Sequence, residues 1–212
     1  MWVTLVLLVV FFAVLAMLIR EGLWSNAVLF FNVMTAAMIA SNYYEPVADW
    51  LQAKWPTYTY VLDFLSLWAI FSGVLIVLRL LTDRVSRVKV RFKMPVEWAG
   101  GIFFALWVGW IMVCFTTFTL HTAPLARNFL GGQFQPEPTS NNFLGLGPDR
   151  KWLAWMYTMS LDGSLSHGRP EGDTKTNVFD PDADFIIRYA ARRRAFEDPT
   201  FSIVVRPEQV KY

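Results

Sequence analysis

Charged positions are spaced so unevenly that long apolar stretches stand out before anything else. Met1–Ile19 carries no charge and stops at Arg20-Glu21. Leu23–Ala40 contains only the amides Asn26 and Asn32 as strongly polar side chains. Tyr60–Leu78 holds Asp63 near one end and meets Arg79 at the other, and Ala99–Leu120 is uncharged throughout. A helix needs about 20 apolar residues to cross the hydrocarbon core. The pattern therefore predicts four transmembrane helices, at about 1–19, 23–40, 60–78 and 99–120. The first lacks the basic start and the small-x-small cleavage site of a secretory leader, so it is expected to be retained.

Beyond Leu120 the pattern changes. Residues 122–212 hold eleven acidic and eleven basic side chains and read as a polar tail. His121–Asn142 is rich in Pro, Gly, Ser and Asn and predicts a loop. In the following segment Trp152, Trp155, Met156 and Met159 recur at i, i+3, i+4 and i+7, one face of a helix near 149–162. Asp149 can start it and Gly163 end it. Because Arg150 and Lys151 flank the tryptophans, a helix in the headgroup plane and a helix packed on protein are both open.

A second tail helix is predicted near 181–197. Asp180 stands at its N-cap, Pro181 at its first position and Arg192, Arg193 and Arg194 in its last turn, an arrangement suited to the helix dipole. Phe185, Ile186, Tyr189 and Phe196 would form its apolar face. The three arginines are expected at a solvated helix end, with contact to anionic lipid or a partner as the functional alternative. Ile203-Val204-Val205 predicts a short strand or an extended partner-binding tail.

Composition supports this division. Of 212 residues, 55% are hydrophobic and 17% charged, too little polar surface for a water-soluble enzyme. A net charge of +2 gives no ground for a nucleic-acid partner. The charge is concentrated locally: residues 79–97 carry Arg79, Arg84, Arg87, Lys89, Arg91 and Lys93 against only Asp83 and Glu97. Basic residues in short loops stay on the cytoplasmic side, so both termini are expected outside. Tyr43, Tyr44, Trp50, Trp55, Tyr58 and Tyr60 crowd the opposite connection, as an interfacial aromatic belt would.

Helices in lipid associate through small residues and interhelical hydrogen bonds. Ala36-xxx-Ala40 and Ala37-xxx-Ser41 in the second span, Ala69-xxx-Gly73 in the third, and Gly101-xxx-Ala105-xxx-Gly109 in the fourth predict a compact bundle. Asn26 and Asn32 are read as interhelical glue.

The order of these features, with IREGLWSNAVLFF opening the second span and MPVEWAGGIFFALWVGWIMV the fourth, resembles the colicin V production (CvpA) family over about residues 1–122. Arg20-Glu21-Gly22 and Glu97 with Gly100-Gly101 carry the likeness. The resemblance implies a bacterial inner-membrane protein with a cell-envelope role, linked by name to secretion of a peptide toxin. Some relatives carry the same unit ahead of an extracytoplasmic serine protease, but this tail is too short for one and has no GDSGG-like motif.

Catalytic chemistry finds little support. Ser160, Asp162, Ser164, Ser166 and His167 cluster in sequence, but a triad needs convergence in space rather than adjacency along a loop. Asp180-x-Asp182-x-Asp184 lacks the Gly and Glu of a calcium loop, having Phe185 and Ala191 at those positions. One cysteine, Cys114, and two histidines give no expected metal or cofactor site. Asp63 is the one intramembrane ionisable candidate. The expectation is an all-α membrane protein, non-enzymatic, serving as a scaffold or accessory subunit that meets the bilayer and a protein partner or second copy. The alternative is a small channel or transporter using Asp63, Asn32 and Thr116/Thr117.

Overall fold

The computed structural model describes residues 2–85, 92–125, 143–160, 179–180 and 182–197. Within them lie six α-helices: α1 (Trp2–Leu18), α2 (Leu23–Lys54), α3 (Thr59–Val85), α4 (Met94–Thr122), α5 (Pro148–Ser160) and α6 (Phe185–Glu197). A single 3-10 turn at Pro56–Tyr58 joins α2 to α3. No strand occurs among the described residues. Residues 203–205, the whole 161–178 stretch and the centre of the basic connection (Arg87, Lys89, Arg91) lie outside them.

Three helical segments, Leu23–Lys54, Pro56–Val85 and Met94–Thr122, are long and apolar enough to cross a membrane. α1 carries no charge but has only 17 residues. The helices run well past the apolar windows that announce them. α2 continues for fourteen residues beyond Ala40, carrying Pro46 within it, and α4 opens five residues before Ala99 with Pro95 in its first turn, where a missing N–H costs nothing. Tyr43, Tyr44 and Trp50 consequently lie on a helix rather than in a loop. Of the expected aromatic belt, Trp50, Trp55 and Tyr58 are exposed, whereas Tyr44 is fully buried.

α2 packs against both α3 and α4, and α1 lies on the far side of α4. Ala36, Ala37, Ala40 and Ser41 are completely buried on α2, bringing its backbone close to its neighbours. Phe71 and Phe115 stack across the α3–α4 interface at 4.7 Å, with Trp68 edge-on to both.

At one end of the bundle the short α1–α2 turn presses onto α4. A Cβ at Gly101 would lie 3.3 Å from the Glu21 carbonyl, and one at Gly100 would overlap the Leu23 side chain. Asn26 Nδ2 closes this corner by donating to the carbonyls of Leu18, at 3.0 Å, and Gly101, at 2.9 Å. Asn32 donates to Thr82 Oγ1 on α3 at 3.0 Å. One amide thus ties three helices and the other ties two. Higher up, Gly109 receives Phe11, whose ring carbons would stand 3.0 Å from an added Cβ.

The third small-residue pair behaves differently. Ala69 and Gly73 are exposed, and an added Cβ at Gly73 would meet nothing within 4 Å. Their spacing matched that of the pairs on α2 and α4, but spacing does not reveal which side of a helix the neighbours occupy.

Replacing Gly101 by Val should therefore overpack the corner, at a cost of about 1–3 kcal/mol. Thermal unfolding in detergent micelles checks this: Gly101→Val should lower Tm by several degrees, and Gly73→Ala should leave it unchanged.

Candidate functional site

The tail folds back on the bundle end formed by the C-terminal turns of α2 and α4 and the first turns of α3. α5 lays one face on α4: Asp149, Trp152, Met156 and Ser160 are all buried. These positions share a helix side at i, i+3, i+7 and i+11. Trp152 contacts Phe115 edge-on and donates its indole N–H to Ser41 Oγ at 3.1 Å. Trp155 and Met159 point the other way and are exposed. The Trp/Met stripe thus divides between protein and surroundings, and Trp152 is a bundle contact rather than a membrane-surface residue.

α6 begins four residues later than expected. Asp184 supplies the carbonyl for the first helical bond, to Arg188 N at 2.8 Å. Asp180, at φ 49°, is not the N-cap, but its carboxylate reaches forward to accept from the N–H groups of Asp184 and Phe185 at 3.1 and 3.2 Å. The acid still satisfies helix-start donors that would otherwise be orphaned. Phe185 then stacks on Phe118 of α4 at 4.7 Å and packs beside Tyr189.

Behind this aromatic seam lies a buried polar network. Arg192 Nη1 donates to Asp63 Oδ2, and Nη2 donates to the Thr59 carbonyl at 2.5 Å. The Tyr189 hydroxyl gives its proton to the same Asp63 oxygen at 3.0 Å. It lies 3.2 Å from the hydroxyl of Tyr44, which donates to Glu45 at 3.0 Å. Arg188 stands between Asp184, at 2.8 Å, and Glu45, at 3.6 Å. Arg193 Nη1 donates to the His121 carbonyl at 2.8 Å, capping the end of α4 where carbonyls lack helical partners and the dipole is negative. Four helices meet here through hydrogen-bonded charges.

Burial and pairing set the protonation of the tail's groups. Burial, reinforced by the Asp63 carboxylate, pushes the Tyr189 phenol well above its ordinary range, so it remains a donor. Burial pulls Arg193 down to about 10, still cationic at neutral pH. Burial alone would raise Asp149, but its hydrogen bond to His121, at 2.9 Å, and nearby positive charge outweigh this and hold it below 3.8. An ionised carboxylate only accepts, so His121 Nε2 carries the hydrogen.

The structure thus joins candidates that the sequence kept apart. Asp63 is claimed by the chain's own Arg192 and Tyr189. Arg192 and Arg193 are only 3% and 6% exposed, which removes the solvated helix end, while Arg194 is exposed. Ala36, Ala40, Gly101, Ala105 and Gly109 are buried packing positions. Asn32 binds Thr82 and lies at the opposite end from Asp63. Sequence reasoning missed Tyr44, Glu45, Thr59 and Arg188. The run of arginines was the available signal, since guanidiniums on the face that carries Phe185 and Tyr189 require acceptors once that face is buried. Of the Ser160–His167 cluster, Ser160 is described: it accepts from Phe179 N at 2.7 Å and joins α5 to the approach to α6. No group of metal-binding residues occurs among the described residues.

A helical bundle with several membrane-length apolar helices and a tail bonded to one end defines a polytopic membrane protein. The sequence pattern of the Colicin V production protein family matches residues 3–136, and the chain belongs to that family. No curated protein and no solved structure matches the chain significantly.

Three outcomes follow from the tail's polar contacts. Breaking a buried ion pair on one side costs roughly 3–5 kcal/mol, so Asp63→Ala should release α6, seen as faster limited proteolysis of the tail. A paired Asp63→Asn, Arg192→Gln variant should be less impaired than the sum of its single changes. Asp149, with its folded pKa held below 3.8, stabilises the docked α5 at any pH above that value. The contribution fades as pH falls through and below it. Trp152 emission should therefore be constant from neutral pH to about 4 and shift red in stronger acid, earlier in His121→Ala.

Proposed function

We propose that this protein is a non-enzymatic scaffold of the bacterial inner membrane, a four-span unit whose outer end is finished by its own tail. The observation that carries the reading is the Asp63–Arg192 pair. The one ionisable side chain within the apolar third segment is neutralised by the C-terminal region, leaving an aromatic and alanine-packed interior. A transport path would need that charge reachable by solute, whereas here it holds an element in place.

α1 supplies the fourth span. Seventeen residues rise about 25 Å, close to the hydrocarbon thickness of about 30 Å, and Val3 and Leu7 pack on Val113 and Phe143 near the tail-bearing end of α4. Four antiparallel crossings place Arg20, Arg79, Arg84 and Lys93 together at the end away from the tail. The positive-inside rule makes that end cytoplasmic. Both termini and the α5–α6 cap are then extracytoplasmic, where the cap presents Trp155, Met159 and Arg194 to lipid headgroups or a partner. We infer an accessory role in an envelope assembly linked to toxin production, as the family name suggests.

Liposomes reconstituted with the purified protein test this against the channel alternative. Ion or proton flux should equal that of empty liposomes and should not differ between wild type and Asp63→Asn. An Asp63-dependent flux would remove the scaffold reading.

A further inference from the structure

Between α1 and α4, on the side where α5 begins, the bundle leaves a groove of about 390 Å³ lined by Phe11, Leu106, Trp107, Trp110, Leu146 and Lys151. Three segments build it. Phe11 of α1 lies over Gly109, whose missing side chain admits the ring, and Leu106, Trp107 and Trp110 form the α4 wall. The segment before α5 supplies the third. Phe143, Leu144, Gly145 and Gly147 all have φ between 55° and 80°, a curl that buries Phe143 against Val3, Leu7 and Val113 and leaves Leu146 at the groove. Leu106, Trp107 and Leu146 are exposed, so the groove opens to the surroundings of the bundle.

A second observation gives this groove a charge. Lys151 Nζ stands 5.6 Å from the centroid of the Trp110 ring, within cation–π range. Among the described residues it forms no ion pair, and Asp149, the acid nearest to it in sequence, is buried and bonded to His121. Trp110 belongs to the uncharged stretch Ala99–Leu120, so in a membrane-spanning bundle the ammonium is held against the bilayer. A cation there is costly unless it reaches an anion, and lipid phosphate is the anion that a bilayer supplies.

We infer that the α1–α4 groove binds an anionic glycerophospholipid, with one acyl chain lying against Phe11, Leu106 and Trp107 and the phosphate meeting Lys151. Apolar walls with a single placed cation are the usual make-up of a small-ligand site, and here each half of the ligand answers one half of the groove. A free phosphate would pair with the ammonium and leave the apolar walls uncovered. An uncharged chain would cover the walls and leave the ammonium unmatched. A zwitterionic headgroup brings its own cation to compete with Lys151, so net negative charge is favoured. Because Trp110 already holds the ammonium beside the groove, less side-chain freedom is lost when the phosphate arrives. The inference rests on the membrane-spanning reading above and names a lipid ligand of that scaffold.

The full-length protein, purified in mild detergent and stripped of lipid, provides the test. Added dioleoyl phosphatidylglycerol should raise Tm, as a ligand of the folded state does. Dioleoyl phosphatidylcholine should act on the order of tenfold more weakly, and glycerol phosphate, which has no chain, should not act at all. Lys151→Gln should lower the apparent affinity for phosphatidylglycerol on the order of tenfold, and Lys151→Arg should retain it. Leu106→Trp narrows the groove with the cation in place and should produce the same loss. Both side chains are exposed, so Tm without lipid should match wild type. Native mass spectrometry, which counts phosphatidylglycerol retained on the folded chain, separates a lost site from lost stability. Equal responses to the two lipids, a response to glycerol phosphate, or retention unchanged in either Lys151→Gln or Leu106→Trp would each overturn the inference. None of those results touches the scaffold reading, which fails only on Asp63-dependent flux.

Discussion

Two guanidinium groups taken out of water govern the tail-bearing end of this molecule. Arg192 and Arg193 can be buried only where acceptors are waiting, because an isolated buried charge costs more than any single packing contact returns. α3 offers the Asp63 carboxylate and the Thr59 carbonyl; α4 offers the His121 carbonyl at its terminus. Once α6 sits at that height, Phe185 meets Phe118 and Tyr189 meets Tyr44. The position of the tail is thus dictated by polar demand, and the aromatic contacts follow from it. The opposite end obeys a related constraint at smaller scale, where the Asn26 amide answers carbonyls of the α1–α2 turn and of α4.

These interactions differ in what they contribute. Buried ion pairs add little net stability compared with an apolar core of equal volume, but they penalise every arrangement that separates the partners. In a lipid-facing bundle, where apolar side chains gain almost nothing by leaving lipid for one another, such penalties carry much of the specificity. Close packing at Gly100, Gly101 and Gly109 fixes how near the helices stand. The hydrogen-bonded charges fix which ends meet.

Much of the architecture was legible because hydropathy is read along the chain, and the membrane segments are announced by runs without charge. The two tail helices were also legible, one from the 3.6-residue period of Trp152 and Met156, the other from acid before and base after an apolar core. What local pattern could not supply was facing. Ala69-xxx-Gly73 has the spacing of Ala36-xxx-Ala40, yet one is exposed and the other buried, since nothing within a segment states where its neighbour lies. Asp63 read as a lone charge for the same reason: its partner is 129 residues away. Helix ends were misjudged wherever polar residues continue a helix beyond the apolar window, as Asn42–Lys54 do in α2.

That continuation has its own consequence. At 32 residues, α2 is about 48 Å long, well beyond the hydrocarbon thickness of about 30 Å. An overlong helix usually hides its surplus by tilting or by thickening the bilayer around it. Here the surplus is largely polar, and on one side Tyr44 and Ala48 are buried, Tyr44 against Tyr189 of the folded tail. The length beyond the apolar window therefore creates no hydrophobic mismatch of its own; it lifts Tyr44 and Glu45 to the height at which Tyr189 and Arg188 of the tail bind them.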